Sequence, residues 1–197
     1  MVREEASEEL TSVSGPEVRV LLSGGLDSAC CLSFYKNAGR PTDAAFIDFG
    51  QSARYKEFEA AKSLAAHYQV RLNRFDWTAG SMKLAGEVLG RNAFFLFGAL
   101  MEAPSSVTGI AIGIHAGTGY ADCSPAFVEE MQRVVDLYSG GRISVLAPFV
   151  DWSKPDIWAY AKSQSAPIPL TYSCETGGDA PCGVCLSCKD REKLNAL

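Results

Sequence analysis

An apolar run, Val18-Arg19-Val20-Leu21-Leu22, leads into Ser23-Gly24-Gly25-Leu26-Asp27-Ser28, and a helix-like segment follows. That order is a strand ending in a tight turn that opens a helix. Glycines at 24 and 25 can take backbone angles closed to other residues and let the main chain approach an anion. Ser23 and Ser28 add hydroxyls beside the free N–H groups of the helix start. The stretch therefore reads as a cradle for a pyrophosphate. Asp27 would repel phosphate unless a cation lay between them, so a bound Mg²⁺ reconciles the carboxylate with a polyphosphate. The bland alternative is an ordinary Gly-Gly turn with Asp27 or Ser28 capping the next helix. The strand before and the helix after it weigh against that.

A second constellation lies near the C-terminus. Four of the seven cysteines, Cys174, Cys182, Cys185 and Cys188, stand as Cys-x7-Cys-x2-Cys-x2-Cys, with Gly177, Gly178, Pro181 and Gly183 interspersed. Closely spaced thiolates on tight turns can surround a tetrahedral Zn²⁺, and four sulfur ligands leave no position open for catalysis. A structural zinc is the expected occupant. An iron–sulfur cluster is a weaker alternative, and disulfides are disfavoured without a secretion signal. Cys30 and Cys31 read as small core residues of the first helix. Cys123 falls in a loop with Gly117, Gly119, Tyr120, Asp122 and Pro125. No histidine is tied to it by sequence, so a catalytic thiol is the minority reading; His67 reads as a helix-surface residue and His115 as the end of a strand.

The elements that must position these groups follow from periodicity. Apolar, β-branched stretches recur at Val18–Leu22, Ala44–Phe49, Val70–Phe75, Val107–Ile114 and Ile143–Ala147, with helical patterns between them. The alternation predicts an α/β fold, a doubly wound and mainly five-stranded parallel sheet. In Ala53–Tyr68 the residues Phe58, Ala61, Ala65 and Tyr68 share a helical face. Asn92–Ala103 is apolar nearly all round, as expected of a buried helix, and Ser153 with Pro155 opens a helix over Lys154–Ser163. Ligands of such a sheet gather beyond the carboxyl ends of its strands, which directs attention to 23–28, 51–54, 115–125 and 148–154.

With 197 residues, 47% hydrophobic and 21% charged, the chain suffices for one α/β domain. The expected division is an acidic flexible tail over 1–16, a nucleotide-binding domain over 17–170, and a four-cysteine segment over 171–197 packed on that domain. A net charge of −5 argues against an extended nucleic-acid surface and favours a small-molecule substrate. No membrane span or secretory signal is indicated, so a cytoplasmic location is expected.

The hexapeptide 23–28 resembles the SGGxDS signature of the PP-loop ATP pyrophosphatases, which cleave ATP between its α- and β-phosphates and transfer AMP to an oxygen of the substrate. The Walker pattern GxxxxGK[ST] is absent. Together with the cysteines, the chain resembles the 7-cyano-7-deazaguanine synthase family of queuosine precursor synthesis. The resemblance rests on SGGLDS, Asp48-Phe49-Gly50-Gln51, Gly90-Arg91-Asn92, Gly119-Tyr120-Ala121-Asp122-Cys123 and Thr171-Tyr172-Ser173-Cys174.

The resemblance implies ATP, Mg²⁺ and one Zn²⁺ held by Cys174, Cys182, Cys185 and Cys188. It implies ATP-dependent activation of 7-carboxy-7-deazaguanine, with ammonia giving first an amide and then a nitrile. On this reading Leu21, Leu22, Ser23, Gly24, Gly25, Leu26, Asp27 and Ser28 hold ATP. Asp27 holds the Mg²⁺ that, with the Ser23 and Ser28 hydroxyls, Arg91 and Lys154, meets the charge of the leaving pyrophosphate. Gln51, Arg91, Asn92, Tyr120 and Asp122 face the deazapurine, Gln51 and Asp122 reading its polar edge and Tyr120 stacking on the ring. A homodimer is common in the family.

Family members usually carry proline before the Asp-Cys pair and arginine after it, where Ala121 and Ser124 stand here, and His115-Ala116-Gly117-Thr118 lacks an expected acid. These departures raise an alternative: a paralogue, of the kind found in antiphage operons, that stops at the amide or joins the activated acid to an amine of a partner protein.

Overall fold

The computed structural model describes residues 17–77 and 88–196. The acidic stretch over 1–16 lies outside the described residues. Five strands, β1 (Glu17–Leu21), β2 (Thr42–Asp48), β3 (Leu72–Asp76), β4 (Val107–Ala111) and β5 (Ser144–Leu146), make one parallel sheet in the order β3-β2-β1-β4-β5. The helices are α1 (Leu26–Asn37), α2 (Arg54–Tyr68), α3 (Arg91–Met101), α4 (Pro125–Ser139), α5 (Lys154–Ser163) and α6 (Leu186–Asn195). The expected doubly wound α/β sheet is the architecture found. Strand order reverses between β1 and β4, and the crevice beyond their carboxyl ends is where such sheets bind ligands.

Alternation along the central strands supplies both faces. Val18 and Val20 of β1 and Ala44 and Phe46 of β2 pack with Leu32, Ala61, Leu64 and Ile157 of α1, α2 and α5. Leu21, Ala45 and Ile47 point the other way, toward Leu96 and Ala99 of α3 and Met131 and Val135 of α4. A strand buried on both faces must be apolar at almost every position, which explains why the apolar runs were legible. They overshoot the strands at Leu22, Phe49 and Ile114; Leu22 lies past β1 yet is 1% exposed and still donates its N–H to the Ala45 carbonyl at 2.8 Å.

Two features differ from the sequence expectation. The helix over Asn92–Ala103 is buried on one face only. Leu96 and Ala99 are fully buried while Met101 is 68% exposed, since α3 packs on the sheet beside α4 and turns its far side to solvent. Within β1, Arg19 is buried and forms an ion pair with Asp43, its register partner on β2, at 3.0 and 2.7 Å. Arg19 also donates to the Glu102 carbonyl at 2.7 Å, and Asp43 accepts from Arg71 and Asn73 at 3.0 Å each. A buried pair is tolerable when its remaining valences are satisfied in this way.

The glycine turn after β1 is wedged against α2. Gly24 has φ +87°, and a Cβ there would lie 2.4 Å from the Glu57 carbonyl oxygen and 3.0 Å from Ala60 Cβ. Neither backbone can yield. Gly24→Ala is therefore expected to destabilise the protein by about 3 kcal/mol, from left-handed strain plus overpacking. An unchanged urea midpoint would show that α2 does not seat on the turn as described.

Candidate active site

The turn Ser23–Ser28 sits at the switch point with α1 running away from it. Gly25 is the extended N-cap of α1 and contributes no side chain, so the first N–H groups of the helix are left for a ligand. The hydroxyls are ordered within the turn: Ser23 Oγ donates to Ser28 Oγ at 3.1 Å, and Ser28 Oγ lies 2.9 Å from the Gly25 carbonyl oxygen.

Asp27, in the first turn of α1, holds Lys154 with its two carboxylate oxygens at 2.6 and 2.5 Å from Nζ. Lys154 is the first residue of α5, whose start is set by a capping box between Ser153 and Asp156. A cation gains nothing from a helix N-terminus. Its place there serves reach, putting an ammonium beside the phosphate turn.

His115 completes this corner. It is 6% exposed, with Nε2 3.8 Å from Asp27 Oδ2. Its Nδ1 accepts the Gly117 N–H at 3.0 Å, so the neutral ring carries its proton on Nε2, facing the carboxylate. Burial holds its pKa below the ordinary imidazole value, with the Asp27 charge opposing, and keeps the ring neutral at neutral pH.

These groups line one cleft of ≈ 870 Å³. Its other walls include Phe49 and Phe95, in edge contact at 5.2 Å between ring centres, together with Ile47, Arg91, Asn92, Thr118 and Tyr120. Among the described residues, the buried side-chain polar atoms without a hydrogen-bond partner are Arg91 Nε and Thr118 Oγ1, and both residues line this cleft. Each such orphan costs about 1–3 kcal/mol, a cost retained where a ligand supplies the partner.

The structure thus brings Ser23, Asp27, Ser28, Arg91, Asn92, Tyr120 and Lys154 to a single cleft. Gln51 also lines it, but its amide is committed: Nε2 donates to Glu57 Oε2 at 2.8 Å, and Oε1 accepts the Phe49 N–H at 3.0 Å. Asp122 is turned to α3, its Oδ2 accepting the Asn92 N–H at 3.4 Å, while Asn92 Nδ2 donates to the Asp122 carbonyl at 3.0 Å. In this arrangement Gln51 and Asp122 brace the cleft's loops. Ser124 is the N-cap of α4, accepting the Phe127 N–H at 3.2 Å. Cys123 is buried and burial raises its pKa, the opposite of what a nucleophilic thiol requires. His67 lies exposed on α2, and Cys30 and Cys31 are fully buried on α1.

Sequence reasoning passed over Thr118, Glu57 and the whole of α6. Glu57 lines the cleft, and burial raises its carboxyl pKa while the hydrogen bond from Gln51 opposes the rise. Its signal was an acid beside Phe58 and Ala61 on an otherwise apolar face.

The four cysteine sulfurs lie within 4.8 Å of one another, with Cys182 and Cys188 at 4.0 Å. That is twice a disulfide bond and close to the roughly 3.8 Å edge of a zinc–thiolate tetrahedron. Backbone N–H groups of Cys182, Cys185 and Cys188 point at the sulfurs of Cys174, Cys182 and Cys185, each at 3.4 Å, and stabilise thiolate charge. The hydroxyl of Thr176 lowers the Cys174 pKa to about 6. All four residues fit a tetrahedral zinc.

The segment bearing them is tied to the cleft. Tyr172 N–H donates to the Gly24 carbonyl at 2.9 Å, Gly177 passes so close to Ser52 that a Cβ would lie 2.6 Å from its carbonyl oxygen, and Lys56 pairs with Asp179. Glu175 accepts from Ser187 N and Oγ at 3.2 and 2.9 Å, anchoring the start of α6.

A glycine turn for phosphate at the switch point of a parallel sheet, with a four-thiol knuckle closing over it, defines a PP-loop enzyme, an ATP-dependent ligase or synthase. The family model described as "Queuosine biosynthesis protein QueC" matches residues 17–89 and 83–196, and the chain belongs to that family. Relatives named 7-cyano-7-deazaguanine synthase include that of Synechococcus sp. (strain RCC307), 32% identical over 87% of this chain and 90% of the relative. That of Gloeothece citriformis is 34% identical over 90% of each. A protein named 7-cyano-7-deazaguanine synthase 2 from Desulfitobacterium hafniense is 34% identical over 88% of this chain and 86% of its own. Among solved structures, an NMN synthetase from Francisella tularensis shares the fold at TM-score 0.50 and 16% identity, over 92% of this chain and 77% of that one. Among the described residues no helix is long and apolar enough to cross a membrane.

Cys185→Ser is expected to lower the zinc content of the purified protein and its Tm by roughly 5–10 °C, since binding energy at a knuckle is folding energy. Metal analysis and a thermal melt check it; full zinc and an unchanged melt would remove the knuckle from the fold's support.

Proposed function

We propose that this chain uses ATP to adenylate the carboxylate of 7-carboxy-7-deazaguanine and, with ammonia, converts it through the amide to 7-cyano-7-deazaguanine. The observation that carries the reading is a single cleft lined by the phosphate turn, by the rings of Phe49, Phe95 and Tyr120, and by the unpartnered Arg91 Nε and Thr118 Oγ1. A flat, aromatic acid needs both parts: rings to lie against and donors for its carboxylate. The relatives' names support the substrate.

A carboxylate is a poor electrophile because oxide is a poor leaving group. Attack of its oxygen on the α-phosphorus of ATP forms a carbonyl–oxygen–AMP ester and releases pyrophosphate. Ammonia then displaces AMP, giving the amide. A second ATP adenylates the amide oxygen with release of pyrophosphate, and loss of both N–H protons and of AMP leaves the nitrile. In each adenylation the departing pyrophosphate collects charge, which the N–H groups of α1, the Ser23 and Ser28 hydroxyls and Lys154 are placed to meet. Asp27 holds Lys154 in the free protein; with nucleotide present, Lys154 would be free to turn to phosphate and Asp27 would hold Mg²⁺, which would supply Lewis-acid neutralisation of phosphate charge. Arg91 and Thr118 hold the substrate carboxyl. Tyr120 and Phe95 cover the ring, with Asn92 beside them. Glu57, with its raised pKa, takes the proton released as ammonium becomes the attacking amine.

Incubation of the zinc-loaded protein with Mg-ATP, the acid and ammonium should yield AMP, pyrophosphate and the nitrile, read by mass spectrometry. Asp27→Ala should abolish turnover with the circular dichroism spectrum unchanged. An untouched base would overturn the assignment. Accumulation of the amide, or the deazaguanine acyl group appearing on a protein amine, would overturn the nitrile as product while leaving adenylation in place.

A further inference from the structure

The structure assigns to Arg191, on the helix that follows the cysteine knuckle, the role of an anion ligand for the triphosphate tail of the nucleotide. This rests on the ATP-dependent reading above.

Arg191 lines the cleft, and among the described residues no carboxylate lies within ion-pair distance of it. Its contacts are neutral. Nη1 lies 3.3 Å from Thr171 Oγ1 and Nη2 lies 3.4 Å from the Ile168 carbonyl oxygen, both long bonds, and the guanidinium rests on the Trp158 ring at 5.2 Å. Burial alone lowers its pKa, and because a guanidinium stays protonated in proteins the group is a partly desolvated cation with donors to spare. Such a charge is costly unless an anion meets it.

Several links place it at the phosphate end. Thr171, its partner, precedes Tyr172, whose N–H binds the Gly24 carbonyl of the phosphate turn. Trp158 lies one turn along α5 from Lys154, and Asp190, the neighbour of Arg191, lines the same cleft as His115. Asp190 shares that wall with Lys193, whose Nζ lies 3.8 Å from its Oδ1. The cysteines supply the aim. Cys185 is the N-cap of α6 and accepts the Cys188 N–H, and Arg191 stands three residues beyond Cys188, on the same face of the helix. The knuckle thus does more than close the chain: it delivers a cation to the nucleotide.

The test is calorimetric titration of the zinc-loaded protein with Mg-ATP and, separately, with AMP, which lacks the β- and γ-phosphates. Arg191→Gln should weaken Mg-ATP by about tenfold or more, the scale of one charge-assisted bond, while AMP binds as before. Arg191→Lys, which keeps the charge and loses the fork, should recover part of the loss. Zinc content and circular dichroism establish that each variant is folded. Equal weakening of ATP and AMP, or Mg-ATP affinity unchanged in both variants, would overturn the assignment and leave Arg191 a packing residue on Trp158. A wild-type protein that fails to bind Mg-ATP would instead bring down the ATP-dependent reading, and this assignment with it.

Discussion

The site depends on how closely three separate pieces of backbone can meet at Gly24. On one side the Glu57 carbonyl of α2 leaves no room for a Cβ; on the other, the Gly24 carbonyl accepts the N–H of Tyr172. The phosphate turn is thereby gripped between a helix of the main sheet and the strand-like lead into the cysteine knuckle. Such grip matters because the turn works through N–H dipoles. A donor that must reorganise when charge develops stabilises that charge far less than one already in place. Position 24 also demands φ +87°, so the conformational and the packing requirement fall on one residue and glycine alone satisfies both.

Around that turn the charges are arranged in opposition. Lys154 and Asp27 neutralise each other in the free protein, with His115 held neutral beside them, while Arg91 and Arg191 keep donors uncommitted. The fold can hold these half-paired groups because its stability lies elsewhere. Most members of the two apolar layers, such as Val18, Leu32 and Leu64 on one face of the sheet and Ala99, Val135 and Ile143 on the other, and the hydrogen-bonded Arg19–Asp43 pair are not among the cleft's walls. Strain and unmet polarity are concentrated where a ligand can relieve them.

The knuckle gives the second half of the chain its bearing on the first. Its sulfurs gather one end of a segment whose other contacts reach the phosphate turn, the β2–α2 loop and α2 itself. A metal held there would order several loops at once. Ala121 and Ser124 flank a short turn that caps α4 and braces α3, so the identity of those two residues bears first on how the loops are held.

By itself the sequence determined the sheet, the phosphate turn and the four-cysteine cluster, because each is written locally. Strands buried on both faces must be apolar throughout, a phosphate turn needs its glycines in succession, and a knuckle needs its cysteines a few residues apart. The family resemblance followed from motifs of the same local kind. Tertiary structure alone decided which side chains face the cleft and which are committed to bonds of their own. Gln51 and Asp122 sit in the right loops, yet their hydrogen bonds are spent on Glu57, Phe49 and Asn92, and no spacing rule reveals where a polar group spends its bonds. Thr118, Glu57 and Arg191 carry no motif; each enters the cleft because elements far apart in the chain are folded against one another. The same limit hid the one-sided burial of α3 and the buried Arg19, since a neighbour across the sheet decides burial and sequence distance does not encode it.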